Sequence, residues 1–379
     1  MDERRLKESF EHVGAHGDEV ALFFYSHLFL GHPELRDMFP VSMSAQRDRL
    51  LHALGRIVSD VGNLDSLVPF LTDLGRDHRK FGVTPEHYPA VGASLLAALT
   101  HFSGSGWNAE LAADWAAAYG LLAGVMIDAA AQDERNPSWW DATIIGHERR
   151  TCDIAVLKVS TRQPLPYLPG QSVAMEFERR PRLWRLFSMA NAPRPDGTLD
   201  FHVRIIDGGQ VTGALAHNPG IGSALRLGPP IGRMTLDTRS ERPIVMAAGG
   251  TGLAPLKAIL EQLAARPVNG HRDPPPVHLF VGARTAADLY DVADLEKMAA
   301  RSPWLTLTPA LSVEPVPRHG WRAEQGTVAD VLARLGTWRD HDAYVCGSSA
   351  MVAATTSRLH ALGTPPERIF VEDFGWSEL

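Results

Sequence analysis

What most restricts the possible folds of this chain is a change of rhythm near residue 135. Up to there, apolar residues recur at steps of three and four with only 5 prolines; beyond it lie 22 prolines, short β-branched runs and glycine turns. A helix-period stretch of that length closes a core of its own, and the strand-rich remainder needs another. The charge balance changes at the same place, from 11 Lys and Arg against 19 Asp and Glu to 26 against 25. We therefore read an all-α domain over residues 1–135, an antiparallel β-barrel over 136–238 and an α/β parallel-sheet domain over 239–379. The segment Asn136-Pro137-Ser138-Trp139-Trp140 is too short for a flexible tether, so the parts read as close-coupled.

Composition removes several classes of function. A formal net charge of -7 disfavours nucleic acid as a partner. With Cys152 and Cys346 the only cysteines, a disulfide framework, a four-cysteine zinc site and a thiolate-held iron–sulfur cluster are excluded, and a reducing cytoplasm fits. The opening MDERRLKESF mixes both signs of charge and shows no secretory signal. The longest uncharged apolar stretch, Ala116 to Ile127, stops at Asp128, short of the roughly 18 residues a membrane helix needs. The expectation is a soluble chain without a membrane span.

In the first part Leu67, Leu71, Leu74, His78 and Phe81 form one stripe, which places a histidine within an apolar helical face ended by Gly82 and Pro85. A helix from about Ala45 to Val58 carries Gln46 and Leu50 on its inner side. Another carries Tyr25, Leu28 and Phe29, and the last shows Leu111, Trp115, Ala118, Leu122, Val125 and Ala129 on one face. Two readings of His78 stand: a core histidine bonded to backbone, or the imidazole ligand of a haem iron, with Tyr25 and Gln46 as polar groups for a diatomic ligand.

Short strands follow at Thr143 to His147, Asp153 to Val159, Ser172 to Phe177, Asp200 to Ile206 and Ala224 to Leu227, the spacing of a small barrel. Arg185-Leu186-Phe187-Ser188 reads either as a turn or as a strand of mixed surface and core residues. From Ile244 the order becomes strand then helix, the pattern of a parallel sheet with crossover helices. Its first turn, Gly249-Gly250-Thr251-Gly252-Leu253-Ala254-Pro255, lets a phosphate approach bare backbone amides at a helix start. It is not a GxGxxG element, and a purely structural glycine turn is the competing reading.

These motifs carry a family resemblance. The stretch LTDLGRDHRKFGVTPEHYPAVGASLLAAL from Leu71, ALFFYSHLFLGHPELRDMFP from Ala21 and AQRDRLLHAL from Ala45 resemble the globin half of flavohaemoglobins. Arg185-Leu186-Phe187-Ser188 and Gly208-Gly209-Gln210-Val211-Thr212 resemble the flavin signatures of the ferredoxin-NADP reductase superfamily, to which that family's other half belongs. The glycine turn and Tyr344-Val345-Cys346-Gly347 resemble its nicotinamide-nucleotide elements. The resemblance implies haem b, FAD and NAD(P)H as cofactors, with O2 and nitric oxide as small-molecule partners and nitric-oxide dioxygenation as the activity. It implies His78 as iron ligand, Tyr25, Gln46 and Tyr88 as catalytic groups, and Phe39 and Leu50 as haem-pocket walls. For FAD it implies Arg185, Phe187, Ser188, Gly209, Val211, Thr212 and Phe374; for the pyridine nucleotide, Gly249, Gly250, Thr251, Gly252, Pro255, Cys346 and Gly347. NADH and NADPH are left open.

The chain departs from the family at four places. The glutamate that supports the proximal histidine falls on Ala130, and Asp77 stands in place of a lysine before that histidine. Ser172 replaces a flavin-packing aromatic, and Phe187 replaces a tyrosine. An electron-transfer reductase or oxidase without nitric-oxide specificity, and a haem-based gas or redox sensor, are the rival functions.

Overall fold

In a computed structural model, residues 1–265, 273–315 and 323–372 are described. Phe374 lies outside them. The chain divides into two compact units, one built on Met1–Trp139 with Pro181–Leu183 and the other, among the described residues, on Trp140–Arg180 and 184–372.

The first unit contains α1 (Glu3–Gly14), α2 (Asp18–Gly31), α3 (Ser44–Asp60), α4 (Leu64–His78), α5 (Tyr88–Ser103) and α6 (Ala109–Gln132). The caps explain the boundaries. Asn63 accepts the Ser66 N–H at 3.3 Å and Asn108 the Leu111 N–H at 2.9 Å, satisfying donors that a helix start leaves open. After α4 a short 3-10 turn ends on Gly82 at φ 74°, a left-handed position suited to glycine. Leu6, Phe24, Leu28, Leu99 and Trp115 join α1, α2, α5 and α6 in one core, each large side chain contributing about 1.5–3 kcal/mol. A second cluster, Leu67, Leu71 and Met126, closes α4 against α6.

The expectation that no segment reaches span length is corrected by α6, whose 24 residues are long and apolar enough by length and composition to cross a membrane. Asp128 interrupts the uncharged run, but a helix of this length tolerates a few charges. Its Leu111, Trp115, Ala123, Met126 and Ala129 are buried within the globin-like core.

The second unit holds two sheets. The first is antiparallel: β1 (Trp140–Arg149), β2 (Ile154–Thr161), β3 (Ser172–Phe177), β4 (Arg180–Ser188), β5 (Thr198–Arg204) and β6 (Ala224–Leu227), with α7 (Gln210–His217) between β5 and β6. Its order β4-β3-β6-β1-β2-β5 curls round, and a bridge between Met189 and Phe201 joins the two ends. Every residue of β3 is buried, so both faces of this strand are covered. Arg185 to Ser188 lie in β4, the strand rather than the turn of the two readings above; the edge position and the arginines of this strand blur its period-two pattern.

The second sheet is parallel, in the order β10-β9-β8-β7-β11-β12. Its strands are β7 (Ile244–Gly249), β8 (Val277–Ala283), β9 (Leu305–Leu311), β10 (Glu324–Gln325), β11 (Asp342–Cys346) and β12 (Ile369–Val371). Its helices are α8 (Leu253–Ala264), α9 (Val292–Arg301), α10 (Val328–Leu335) and α11 (Ser349–Ala361). The chain runs outward from β7 to β10 and then returns to the other side of β7, so the strand order reverses between β7 and β11. Ligands bind at the carboxyl ends of strands at such a reversal.

Candidate cofactor sites

In the first unit His78 closes the last turn of α4, half-buried, with Nδ1 2.7 Å from the Leu74 carbonyl. The Nδ1–H donates to that carbonyl, which leaves the Nε2 lone pair free. Burial pushes the imidazole below its ordinary pKa, against the opposing pull of Asp77 and the Leu74 carbonyl. A neutral imidazole with one free nitrogen is what an iron ligand needs.

Tyr25, 6% exposed, sits among the rings of Phe24, Phe29 and Phe39. Gln46 Nε2 donates to its hydroxyl at 3.3 Å, and burial pushes the phenol up to about 12, so it remains an O–H donor. Leu50 and Phe39 are half-buried members of the same core cluster. A phenol, an amide and an apolar wall thus meet from α2, α3 and the turn between them, and they fit a haem pocket.

Three residues near His78 have partners of their own. Tyr88, the first residue of α5, packs with Leu67, Leu71 and Met126, and burial lifts its phenol to about 12. The Leu74 carbonyl, not Tyr88, holds the His78 Nδ1. Asp77 forms an almost wholly buried ion pair with Lys80, three residues along the chain. Asp133, an acid near the Ala130 position, pairs with Arg79 at 2.5 Å.

In the second unit Arg185 is half-buried on β4, donates only to the Trp184 carbonyl at 2.8 Å and has no carboxylate partner among the described residues. Burial alone pulls its pKa down, and an anion beside this guanidinium would offset the desolvation. Gly209 precedes α7, whose first turn has no side-chain cap. A Cβ at Gly209 would stand 2.4 Å from Thr212 Oγ1, so only glycine permits this approach. Val211 and Thr212 are buried in that turn, and Phe187 and Ser188 are buried at the end of β4. An unpaired arginine and an uncapped helix start fit a flavin pyrophosphate.

At the reversal of the parallel sheet, Gly249 ends β7 and Gly250–Gly252 forms a 3-10 turn into α8, again without a side-chain cap. A Cβ on Gly252 would lie 2.3 Å from the Cys346 carbonyl oxygen. Thr251 is half-buried in that turn, and Pro255 is buried in the first turn of α8. Gly347 follows Cys346 directly, so the two glycine elements lie backbone to backbone where β7 and β11 end. These uncapped amides fit the phosphates of a dinucleotide.

Glu372, which the family resemblance pairs with the residue at position 77, has other partners here. Its carboxyl receives Ser188 Oγ at 2.8 and 2.9 Å and Cys346 Sγ at 3.0 Å, and Ser172 Oγ also donates to it. The chemical nature of Ser172 was visible as a departure, but nothing local links positions 172, 188, 346 and 372.

Comparison with known proteins agrees with this layout. Residues 22–126 match the globin family, 141–236 the oxidoreductase FAD-binding domain and 246–357 the oxidoreductase NAD-binding domain. The flavohemoprotein of Bordetella parapertussis is 30% identical over 390 residues, covering 95% of this chain and 94% of that protein. The ferredoxin–NAD(P)+ reductase component of a naphthalene 1,2-dioxygenase system from Pseudomonas putida is 34% identical over 236 residues, 61% of this chain and 68% of that one. The crystal structure of the flavohemoglobin of Malassezia yamatoensis with bound FAD and haem superposes with a TM-score of 0.82, at 18% identity, over 98% of this chain and 97% of that one.

Proposed function

Because the chain belongs to the flavohaemoprotein family and is an oxidoreductase that joins a globin to a flavin and nicotinamide reductase, we propose that it is a nitric oxide dioxygenase. Haem, FAD and a pyridine nucleotide are its cofactors. When bound they supply hydride acceptance, one-electron release and diatomic-ligand binding. One electron, one NO and one O2 make one nitrate, so one NAD(P)H serves two turnovers.

The chain's own residues have the following parts. His78 presents Nε2 to iron while the Leu74 carbonyl fixes the ring. Tyr25 supplies an O–H donor to a diatomic molecule in the pocket, held by the Gln46 amide, and Phe39 and Leu50 keep water out. Tyr88 packs beneath the α4 stripe that carries His78. Arg185, with the amides at Gly209, Val211 and Thr212, binds the flavin pyrophosphate; Phe187 covers the ring and Ser188 bonds its edge. Gly249, Gly250, Thr251, Gly252 and Pro255 receive the phosphates of NAD(P)H, and Cys346 and Gly347 border its nicotinamide.

The observation that carries this reading is the buried Tyr25–Gln46 pair in a globin whose histidine keeps Nε2 free. The test is stopped-flow mixing of the oxygenated, NADH-reduced protein with nitric oxide. Stoichiometric nitrate supports the reading, and oxygen consumption indifferent to nitric oxide overturns it. A second reading, a haem reductase or oxidase without nitric-oxide specificity, is favoured by one observation: only a backbone carbonyl, and no carboxylate, bonds the His78 Nδ1, which leaves the ring less electron-rich.

A further inference from the structure

A side-chain bond with no part in the reading so far joins the antiparallel sheet of the second unit to its parallel sheet. The hydroxyl of Tyr290, in the segment between β8 and α9, lies 2.7 Å from Nδ1 of His202 on β5, and the two rings meet edge to face. His202 is buried, and burial together with Lys257 and Arg150 holds its pKa at about 3 against the pull of Asp200. The imidazole is therefore neutral at ordinary pH; as the more basic partner it accepts, and the more acidic phenol donates. Beside this bond the fully buried Asp291 receives Lys257 Nζ of α8 at 2.6 Å and lies 3.5 Å from Arg150 Nη1, in the turn from β1 to β2. Further along β5, Arg204 Nη1 stands 3.1 Å from the place of a Cβ on Gly250. These contacts fall between the elements that hold the two cofactors. Beyond its end β5 runs on to the Gly208–Gly209 turn, and β8 pairs with β7 so that Gly282 stands opposite Gly249 of the nucleotide turn. Cys346 is close enough to Tyr290 to help raise its phenol. Two apolar side chains would join these sheets with no buried polar atom to satisfy; a phenol on an imidazole adds a fixed distance and direction.

Resting on the reading that these sheets hold FAD and NAD(P)H, we propose that Tyr290 and His202 are positioning residues for hydride transfer, their bond setting how far the flavin-holding strand stands from the nucleotide-holding turn. In that step the nicotinamide C4–H bond breaks and its hydrogen passes with both bonding electrons to the flavin N5, giving NAD(P)+ and a singly anionic reduced flavin. Neither side chain gains or loses a proton. Such a transfer is sensitive to spacing: a misplacement of about 1 Å can slow a step by roughly a hundredfold.

The experiment is anaerobic stopped-flow mixing of NADH with the full-length protein loaded with FAD and haem. The dependence of flavin bleaching on NADH concentration separates a limiting rate from a dissociation constant. Tyr290→Phe, which deletes the bond and keeps the ring, should lower the limiting rate about tenfold and leave the dissociation constant within twofold. The long-wavelength charge-transfer absorbance of NAD+ added to the reduced flavin, an equilibrium readout that needs no turnover, should weaken with it. His202→Phe should lose as much as Tyr290→Phe. His202→Asn, whose amide oxygen stands near the place of Nδ1, should keep the rate within about threefold. A limiting rate within twofold of the parent in Tyr290→Phe, or a loss that falls wholly on the dissociation constant, overturns the proposal. So does a His202→Asn protein as slow as His202→Phe, which would mean that the ring's bulk counts and its bond does not. Should Tyr290→Phe lose FAD, His202→Phe deletes the same bond from the flavin side and must show the same split. A parent flavin that NADH leaves oxidised overturns the underlying cofactor reading and the proposal together, whereas a parent that is reduced no faster than the variants overturns the proposal alone.

Discussion

The imidazole of the first unit and the carboxyl of the second are displaced by the same force in opposite senses. Desolvation favours whichever form is uncharged, so it lowers His78 and raises Glu372. What differs is the answering set of partners. His78 receives one backbone carbonyl and the field of Asp77, whereas Glu372 receives two hydroxyls and a thiol from β3, β4 and β11. A backbone partner fixes orientation while burial keeps the group neutral, as ligation demands. Side-chain donors on a carboxyl bring its titration into the neutral range, where a proton can come and go.

The comparison breaks most visibly at His78. Replacing it with alanine should abolish the Soret band entirely while the flavin absorbance persists; a haem spectrum retained in His78→Ala would show that some other group holds the iron. In the second unit the matching break is Arg185→Ala. The charge-assisted bonds of one arginine contribute about 1.5–3 kcal/mol, so the FAD dissociation constant should rise roughly ten- to hundredfold by fluorescence titration. Binding unchanged within twofold would remove Arg185 from the site.

A dependence on pH sharpens the contrast in sign. Glu372 is raised from 4.5 to about 7 in the folded chain, so between those values the folded state holds a proton that the unfolded state has lost. Stability of the second unit should therefore fall as pH rises through that window, by about 3 kcal/mol, and stay level above it. His78 works the other way: its lowered pKa makes acidification below the ordinary histidine range the destabilising direction. Melting temperatures of FAD-free protein against pH test this. If Glu372→Gln leaves the slope across the window intact, the carboxyl is not its source.

Most of the scaffold could be read from periodicity, and much of the chemistry could not. Ser172–Phe177 and Ala224–Leu227 fall on their expected bounds because unbroken apolar or alternating runs end at clear turn residues. Arg180–Ser188 was ambiguous because an arginine-rich edge strand looks like a solvated loop. His78, Tyr25 and Gln46 stood out as polar groups on apolar helical faces, a local signal. The carboxyl cluster had none: it needs the register of β3 with β4, the end of β11 and a residue beyond β12 to be brought together. In the sequence Ser172 is only a missing aromatic, and its hydroxyl acquires a partner 200 positions away. The buried Asp77–Lys80 pair escaped for the reverse reason, since charges three apart on a helix end read as a solvated face.

The finest test lies with Tyr25. Its hydroxyl accepts from the Gln46 side chain at 3.3 Å and donates to the Gln46 backbone carbonyl at 3.5 Å, a long contact from which a ligand can draw the proton. Deleting one such bond in Tyr25→Phe removes about 1 kcal/mol, which predicts an oxygen dissociation rate roughly fivefold faster in flash photolysis. Because burial holds the phenol at about 12, it stays protonated through the neutral range, and the parent rate should be flat with pH there. Glu372, raised to about 7, should titrate across that same range. A parent dissociation rate that tracks this titration would mean that the distal pocket responds to the proton on Glu372, and the two groups would then have to be treated as one coupled titration.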